Sequence, residues 1–383
     1  MKRVLLFTHN LSGGGAEKAV ARIAEYFAAH PEDGVSCSIC VVYDHEETRR
    51  RLEEQGVPVI VMEHRSRPED SRLVKGINVL RQIREMHRIK RKGRYDTCVS
   101  FLPGADLINV SSPCGERQIV SMRTQESAFT PNLFKKIYTG RSLRRCDRIV
   151  AVTEMARIDA IRFFHVPEDK IVTIHNAIDQ SVPSGEPDPR YRAFAASRRL
   201  ILHAGRLIPV KRQDLLIRAF AAARRGREDL GLVILGDGPE RENLQRIAWE
   251  EGVAEEVFFA GYVSDPQSYL RMGTAFVMSS DAEGMPNVVL EAMQCGLPVV
   301  STACGAMEIL DPKRVRPDAA AVTDVTEGAY GLLCPTGDAD ALARAIGRIM
   351  DDDALRQRYR ERGEACLKDY TWERIAAQWK REF

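Results

Sequence analysis

Short apolar runs alternate with amphipathic segments along the first part of this chain, stop at a Pro/Gly/Ser stretch, and then resume. The runs Val4–Thr8, Cys37–Tyr43, Pro58–Met62, Cys98–Leu102, Ile119–Met122, Ile149–Thr153 and Ile171–Ile174 are strand-like. Segments with helical spacing lie between them: Glu17–His30, Arg72–Lys92, Asn132–Cys146 and Glu154–Phe164. Nearly continuous apolar strands separated by helices predict a mainly parallel sheet with helices on both faces. Ser181-Val-Pro-Ser-Gly-Glu-Pro-Asp-Pro189 interrupts the pattern, which restarts at Leu200. The expectation is an α/β chain of two doubly wound, Rossmann-like domains, 1–180 and 181–365, followed by a terminal helix within 366–383. Ligands of such sheets bind beyond the carboxyl ends of the strands, so the expected active site is a cleft across which the two domains face.

Length and composition agree. A chain of 383 residues can bury a core without staples, and 44% hydrophobic with 29% charged residues describes a globular protein in water. No apolar run approaches the roughly 18–20 residues of a membrane span. After Met1-Lys-Arg only Val4–Phe7 is apolar, too short for the core of a secretory leader. The nine cysteines are odd in number and scattered, and Cys37 and Cys40 sit in a strand-like run, so reduced core thiols in the cytoplasm are expected.

The chemistry concentrates in the second half. Glu283 stands in the turn Glu283-Gly-Met-Pro-Asn, and Glu291 follows eight residues later, about two turns into the next helix. Pro286 suits the first turn of that helix, whose amide end would attract an anion. Gly284 permits close approach of a ligand to the backbone. Gly284, Met285, Pro286 and Asn287 thus offer a phosphate site, with Glu283 and Glu291 as acceptors for hydroxyls. Upstream, Leu200–Leu202 leads into His203-Ala-Gly205-Arg206-Leu-Ile-Pro-Val-Lys211, which places two cations in a strand-to-helix loop. Leu232–Leu235 runs into Gly236-Asp-Gly238-Pro, and Val257–Val263 and Ala275–Ser280 are further strands.

In this order the segments resemble the donor-binding half of glycosyltransferase family 4, the retaining sugar transferases of GT-B fold, over roughly the last half of the chain. The resemblance implies a nucleoside-diphosphate-sugar as donor, with UDP-N-acetylhexosamine the first expectation, and a glycan or polyprenyl-diphosphate-linked acceptor. It implies catalysis by Arg206, Lys211 and Glu283 without a metal or other cofactor. Donor binding falls to Gly14, Gly15, Gly205, Gly284, Met285, Pro286, Asn287 and Glu291. It further implies that the terminal helix packs back on the first domain.

The loop Asn10-Leu-Ser-Gly13-Gly14-Gly15-Ala-Glu17 has neither dinucleotide-fingerprint nor P-loop spacing. Three glycines exceed what a bare turn needs, and the resemblance turns the loop toward donor phosphates. Glu17 is read as a helix cap. Arg123, in Ser121-Met-Arg-Thr, is balanced between an acceptor contact and a surface loop cation. Many relatives have a histidine near the strand end Phe101-Leu-Pro-Gly-Ala-Asp106. This sequence has none there, and no catalytic base is named. Asp338-Ala-Asp340 has a metal-binding spacing, but it precedes a helical run, where an Asp cap is the better reading.

Charge is divided unevenly. Residues 1–178 hold 29 Lys/Arg against 22 Asp/Glu (+7), and the remainder 27 against 32 (−5). Arg72–Arg94 has nine basic residues and one acid, with Leu73, Val74, Ile77, Leu80, Ile83 and Met86 at helical spacing. With Lys135, Lys136, Arg141, Arg144 and Arg145 on a second helix, this predicts contact with an anionic membrane, at the inner face of the cytoplasmic membrane. The plainer reading is a solvated helix covering the sheet. No nucleic-acid motif accompanies the basic face. Two alternatives stand beside the transferase: a nucleotide-sugar epimerase of the same architecture, and a non-enzymatic glycan or nucleic-acid binder.

Overall fold

The first strand, β1 (Lys2–Thr8), is completely apolar from Val4 to Phe7 and is an interior strand of its sheet. The computed structural model describes residues 1–12, 14–67, 69–127, 133–178, 185–315 and 321–383. Gly13, Asp179 and linker residues 181–184 lie outside the described residues, as does the Lys135 side chain. The chain divides into two compact units, Met1–Asn176 with Trp372–Phe383, and Ala177–Thr371.

In the first unit β1 is joined by β2 (Val35–Val41), β3 (Val59–Val61), β4 (Thr97–Phe101), β5 (Arg117–Met122), β6 (Arg148–Ala151) and β7 (Ile171–Thr173). All pairings are parallel, in the order β3-β2-β1-β4-β5-β6-β7. Each expected strand is present. Helices Arg72–Gly93, Pro103–Val110 and Leu133–Arg145 cover one face, where Leu5, Phe7 and Cys98 meet Met86, Ala105 and Ile108, and Val120 meets Leu143. On the other face Gly15–Ala29 packs with the terminal helix Trp372–Glu382: Tyr26 stacks on Trp372, and Phe383 O accepts from Thr97 Oγ1 at 2.6 Å. Pro103–Val110 escaped the sequence reading because Pro103 and Gly104 look like a turn; both occupy the helix's first turn, where a proline's missing N–H costs nothing.

Helix Arg72–Gly93 corrects the simplest reading of its sequence. Its buried stripe is Asn78, Gln82, Glu85, Met86 and Lys90, while Leu73, Val74, Ile77 and Leu80 are exposed. The inner face is held by hydrogen bonds to the preceding loop. Asn78 Nδ2 donates to Arg65 O (3.1 Å) and Gln82 Nε2 to His64 O (2.9 Å), and Glu85 accepts from Glu63 N (2.7 Å) and His64 Nδ1 (2.8 Å). Lys90 donates to Asn109 O and Oδ1, to Ser112 O and to Glu116 Oε1, which satisfies a buried ammonium. A polar pattern thus faces inward because the loop before the helix presents backbone groups that need partners.

The second unit repeats the theme with β8 (Arg199–Ala204), β9 (Leu230–Leu235), β10 (Val257–Gly261), β11 (Ala275–Met278), β12 (Val299–Thr302), β13 (Thr326–Glu327) and β14 (Gly331–Cys334), in the order β10-β9-β8-β11-β12-β14-β13. Only the β13–β14 pair is antiparallel. Helices Gln213–Arg224 and Ala339–Asp351 bury Leu216, Phe220, Leu342 and Ile346 against the sheet. Among the described residues no helix is long and apolar enough to cross a membrane.

Candidate functional site

From β8 the second unit's chain steps outward to β9 and β10, then returns to lay β11 on the other side of β8. This reversal opens a crevice between the carboxyl ends of β8 and β11, the usual ligand position in an open α/β sheet. The loops carrying Gly205, Arg206, Lys211 and Glu283 leave those two strands. Lys211 Nζ pairs with Glu283 Oε1, which also accepts from Ser280 Oγ at 2.9 Å. The loops are laced together beneath that pair: Asp281 N donates to Val210 O (2.9 Å) and Ser279 Oγ to Lys211 O (2.9 Å). Arg206 is exposed, and its guanidinium has no partner among the described residues. The two cations read together from sequence are therefore unequal: Lys211 is held by a carboxylate and Arg206 is uncommitted.

Two glycines after β9 serve the scaffold. A Cβ on Gly236 would meet the Gly205 backbone carbon at 2.9 Å, and one on Gly238 the Leu207 carbon at 2.9 Å, so both let the β9 loop lie against the Arg206 loop. Sequence reasoning missed the corresponding glycine after β12. A Cβ on Gly305 would collide with the Gly284 carbonyl oxygen and come within 2.6 Å of that of Glu283. The run of small residues Ala303-Cys-Gly-Ala306 at a strand end was its sequence signal.

The helix after Glu283 begins one residue later than expected. It spans Asn287–Gln294, and Pro286 is its extended N-cap (ψ 98°) rather than its first residue. Pro286 O accepts from Val289 N at 3.0 Å. Gly284, Met285 and Pro286 are buried, Asn287 is half-buried at the helix end, and Glu291 is half-buried one turn further on.

His203 supports the loop from below. It is fully buried; Nδ1 faces Val277 O at 3.0 Å, so it carries the proton, and Nε2 accepts from Gln213 Nε2 at 3.3 Å. Gln213 donates again to Arg206 O at 3.1 Å. Burial, seconded by the charge of Lys211, pushes the imidazole down to about 4 from an ordinary 6.5. Between those values the unfolded chain binds a proton that the folded chain refuses. This contribution, about 3 kcal/mol, is therefore fully present above pH ~6.5 and lost as pH falls toward ~4. Denaturant midpoints at about pH 7 and about pH 4.5 should diverge less in His203→Asn than in wild type; equal divergence would contradict this protonation state.

In the first unit the order reverses between β1 and β4. Gly14 caps helix Gly15–Ala29 in extended conformation, and a Cβ there would meet Glu17 Cδ at 3.0 Å, the end of a side chain that can swing aside. A Cβ on Gly15 would meet nothing within 4 Å. Arg123 is no surface cation: it is buried, its guanidinium lies 5.9 Å from the Phe101 ring centroid and bonds Asn176 Oδ1, and burial lowers it to about 10. A histidine does reach the turn after β4, from a neighbouring strand. The His9 ring abuts Gly104, where a Cβ would meet Cε1 at 2.8 Å, and burial lowers its pKa. Asp338 accepts from Ala341 N at 2.8 Å and caps Ala339–Asp351.

Residues 13–182 match the family described as Glycosyltransferase Family 4, and residues 187–365 that of Glycosyl transferases group 1. The chain belongs to glycosyltransferase family 4 and has the GT-B fold. This family 4 protein is 36% identical over 168 residues to the lipopolysaccharide core biosynthesis glycosyltransferase LpsE of Rhizobium meliloti, 44% of each chain. It is 23% identical to the N-acetylgalactosamine-N,N'-diacetylbacillosaminyl-diphospho-undecaprenol 4-alpha-N-acetylgalactosaminyltransferase of Campylobacter jejuni, over 98% of each chain. It spans about half the length of most of the curated relatives it matches. The Anabaena HepE structure, in complex with UDP and glucose, superposes with TM-score 0.80 at 18% identity over 100% of this chain and 99% of that one.

Proposed function

We propose that this family 4 protein transfers a sugar, with retention, from a nucleoside-diphosphate-sugar to a glycan or polyprenyl-diphosphate-linked acceptor, without a metal. The pairing of Lys211 with Glu283, on the loops that leave β8 and β11, supports the proposal, because it brings a cation and a carboxylate together at the carboxyl ends of those strands within one unit. Arg206 and Lys211 would stabilise the charge growing on the leaving diphosphate, and the helix end at Asn287 would face the phosphate nearer the sugar. Glu291 would accept from both ribose hydroxyls. Glu283, held by Lys211 and Ser280, would orient the sugar. As the glycosidic bond to the diphosphate breaks, a diphosphate oxygen would take the proton of the attacking hydroxyl, which needs no side-chain base. Arg123 would serve the acceptor side.

The donor is proposed to be UDP-N-acetylhexosamine. Support comes from the Campylobacter relative, named for N-acetylgalactosaminyl transfer to a diphospho-undecaprenol-linked acceptor, and from the UDP bound by HepE.

Calorimetry against UDP and other nucleoside diphosphates tests the donor site. Glu291→Ala should weaken binding by about 1.5–3 kcal/mol through loss of charged hydrogen bonds. Unchanged affinity would remove Glu291 from the site. Incubation with the nucleotide-sugar alone separates the alternatives: interconversion of sugars without acceptor would mark an epimerase, and absence of any turnover with acceptors a binding protein.

A further inference from the structure

Between Lys211 and Gln213 the chain turns through Arg212, a non-glycine residue in the left-handed region (φ 50°, ψ 42°). Ion pairs with Asp214 at 3.0 Å and Asp281 at 3.3 Å hold it there. The turn sends its two neighbours to different places. Lys211 goes to Glu283, whereas Gln213, the first residue of helix Gln213–Arg224, is only 1% exposed. A glutamine buried so deeply must find partners for its amide. Gln213 Nε2 spends its two hydrogens on His203 Nε2 at 3.3 Å and Arg206 O at 3.1 Å. His203 can accept because its proton sits on Nδ1, toward Val277 O at 3.0 Å. Reversed, the amide would set its oxygen against two acceptors, so the network admits one orientation.

The backbone held in this way is that of Arg206. Its guanidinium is exposed and has no partner among the described residues, so the backbone beneath sets where it starts from. On the β9 side that backbone is fixed by Gly205 N to Leu235 O at 2.9 Å and Leu207 N to Asp237 O at 3.0 Å. On the other side Arg206 O accepts from Ile208 N within the loop, at 3.0 Å, and from the Gln213 side chain.

We infer that Gln213 is a positioning residue for the donor site, an inference that rests on the proposed role of Arg206: by tying the Arg206 carbonyl to buried His203, Gln213 fixes the point from which the guanidinium reaches a donor diphosphate. A cation stabilises a transition state best when it is already in place. Lys211 is kept in place by Glu283, and Arg206 by its backbone. The anchor requires a neutral imidazole. Lys211 is the charged group that bears on the ring: its stem and His203 Nε2 both lie within 3.9 Å of the place a Cβ on Gly205 would take. From β11 the neighbours are Val277 O and the Phe276 ring, stacked at 6.4 Å. A second proton on His203 would turn N–H against N–H at Gln213.

Calorimetry on the full chain, with whichever of UDP, GDP and dTDP binds wild type most tightly, tests this role. Gln213→Met keeps the reach of the side chain and removes both hydrogen bonds. Gln213→Glu keeps the shape but cannot donate to Arg206 O. Each should weaken binding roughly tenfold. In an Arg206→Ala background the same changes should have no further effect, because a residue acting through Arg206 has nothing left to position. A scaffold role would lower affinity equally in both backgrounds, so the comparison holds even if Gln213→Met melts early. Histidine NMR gives a second readout: the carboxylate of Gln213→Glu beside Nε2 should make His203 titrate at higher pH than in wild type. Equal losses with and without Arg206, wild-type affinity in both variants, or an unshifted His203 titration overturns the inference and leaves the donor site standing. A wild type that binds none of the three diphosphates overturns the donor site, and this inference with it.

Discussion

Lys211→Ala is expected to lower kcat by about 10²–10³, with a smaller effect on donor binding. A cation aimed at a leaving diphosphate acts mostly where charge accumulates, in the transition state. The same substitution leaves Glu283 with only Ser280 as its partner at Oε1 among the described residues, so some of the loss would come from a displaced carboxylate. Arg206→Ala separates the two effects. Its guanidinium is exposed and has no partner among the described residues, so turnover should fall while thermal stability stays within about 0.5 kcal/mol of wild type. Lys211→Ala combined with Glu283→Ala should cost less than the sum of the single changes, because the two residues share one contact. Additive losses would mean that they act independently. Chelator should leave wild-type turnover intact; strict dependence on added Mg²⁺ or Mn²⁺ would defeat the assignment of charge stabilisation to Arg206 and Lys211. It would also reopen Asp338, although that carboxylate already holds a helix start.

Gly305→Ala is the second large effect. The added methyl would be driven into the Gly284 carbonyl and toward that of Glu283, both backbone atoms of the loop that carries Glu283. Backbone cannot swing aside as a side chain can, so the loop or the β12 end must move, at a cost of about 1–3 kcal/mol. For a unit of this size that corresponds to a drop in Tm of several degrees, and nucleoside diphosphate affinity should fall with it. Gly15→Ala is the contrast. Nothing stands within 4 Å of the new methyl, so melting should be unchanged, and activity should fall only if a ligand passes there. Wild-type melting and affinity in Gly305→Ala would show that the two loops are not tightly apposed.

Much of the site was readable in the residues because its parts sit at strand ends, where local pattern is strong. The apolar run to Ala204 followed by Gly205-Arg206, and the run to Met278 followed by the turn at Glu283, both report a strand feeding a loop. Two partnerships were not readable. The pair Lys211–Glu283 joins residues far apart in sequence that meet only because β11 lies beside β8, and His203–Gln213–Arg206 is a chain of hydrogen bonds that no spacing rule announces. Gly305 was missed for the same reason: its need for a bare Cα is set by a carbonyl some twenty residues earlier in the chain.

By itself the sequence determined all seven strands of the first unit and β8 to β11 of the second, because a strand buried on both faces must be apolar almost without interruption; β12, β13 and β14 were not read from it. It also determined the fold class that follows when such strands alternate with helices. It could not determine which way a helix turns when polar residues find partners inside. In Arg72–Gly93 the apolar positions suggested a packed stripe, yet the loop ahead of the helix offered backbone groups to Asn78, Gln82 and Glu85, and Asn109 and Glu116 received Lys90. Those bonds replace water one for one in the interior, whereas leucine loses less by facing outward than an unpaired carboxylate or ammonium would by facing in. Only the tertiary structure decided that contest, and with it which face of the helix remained exposed.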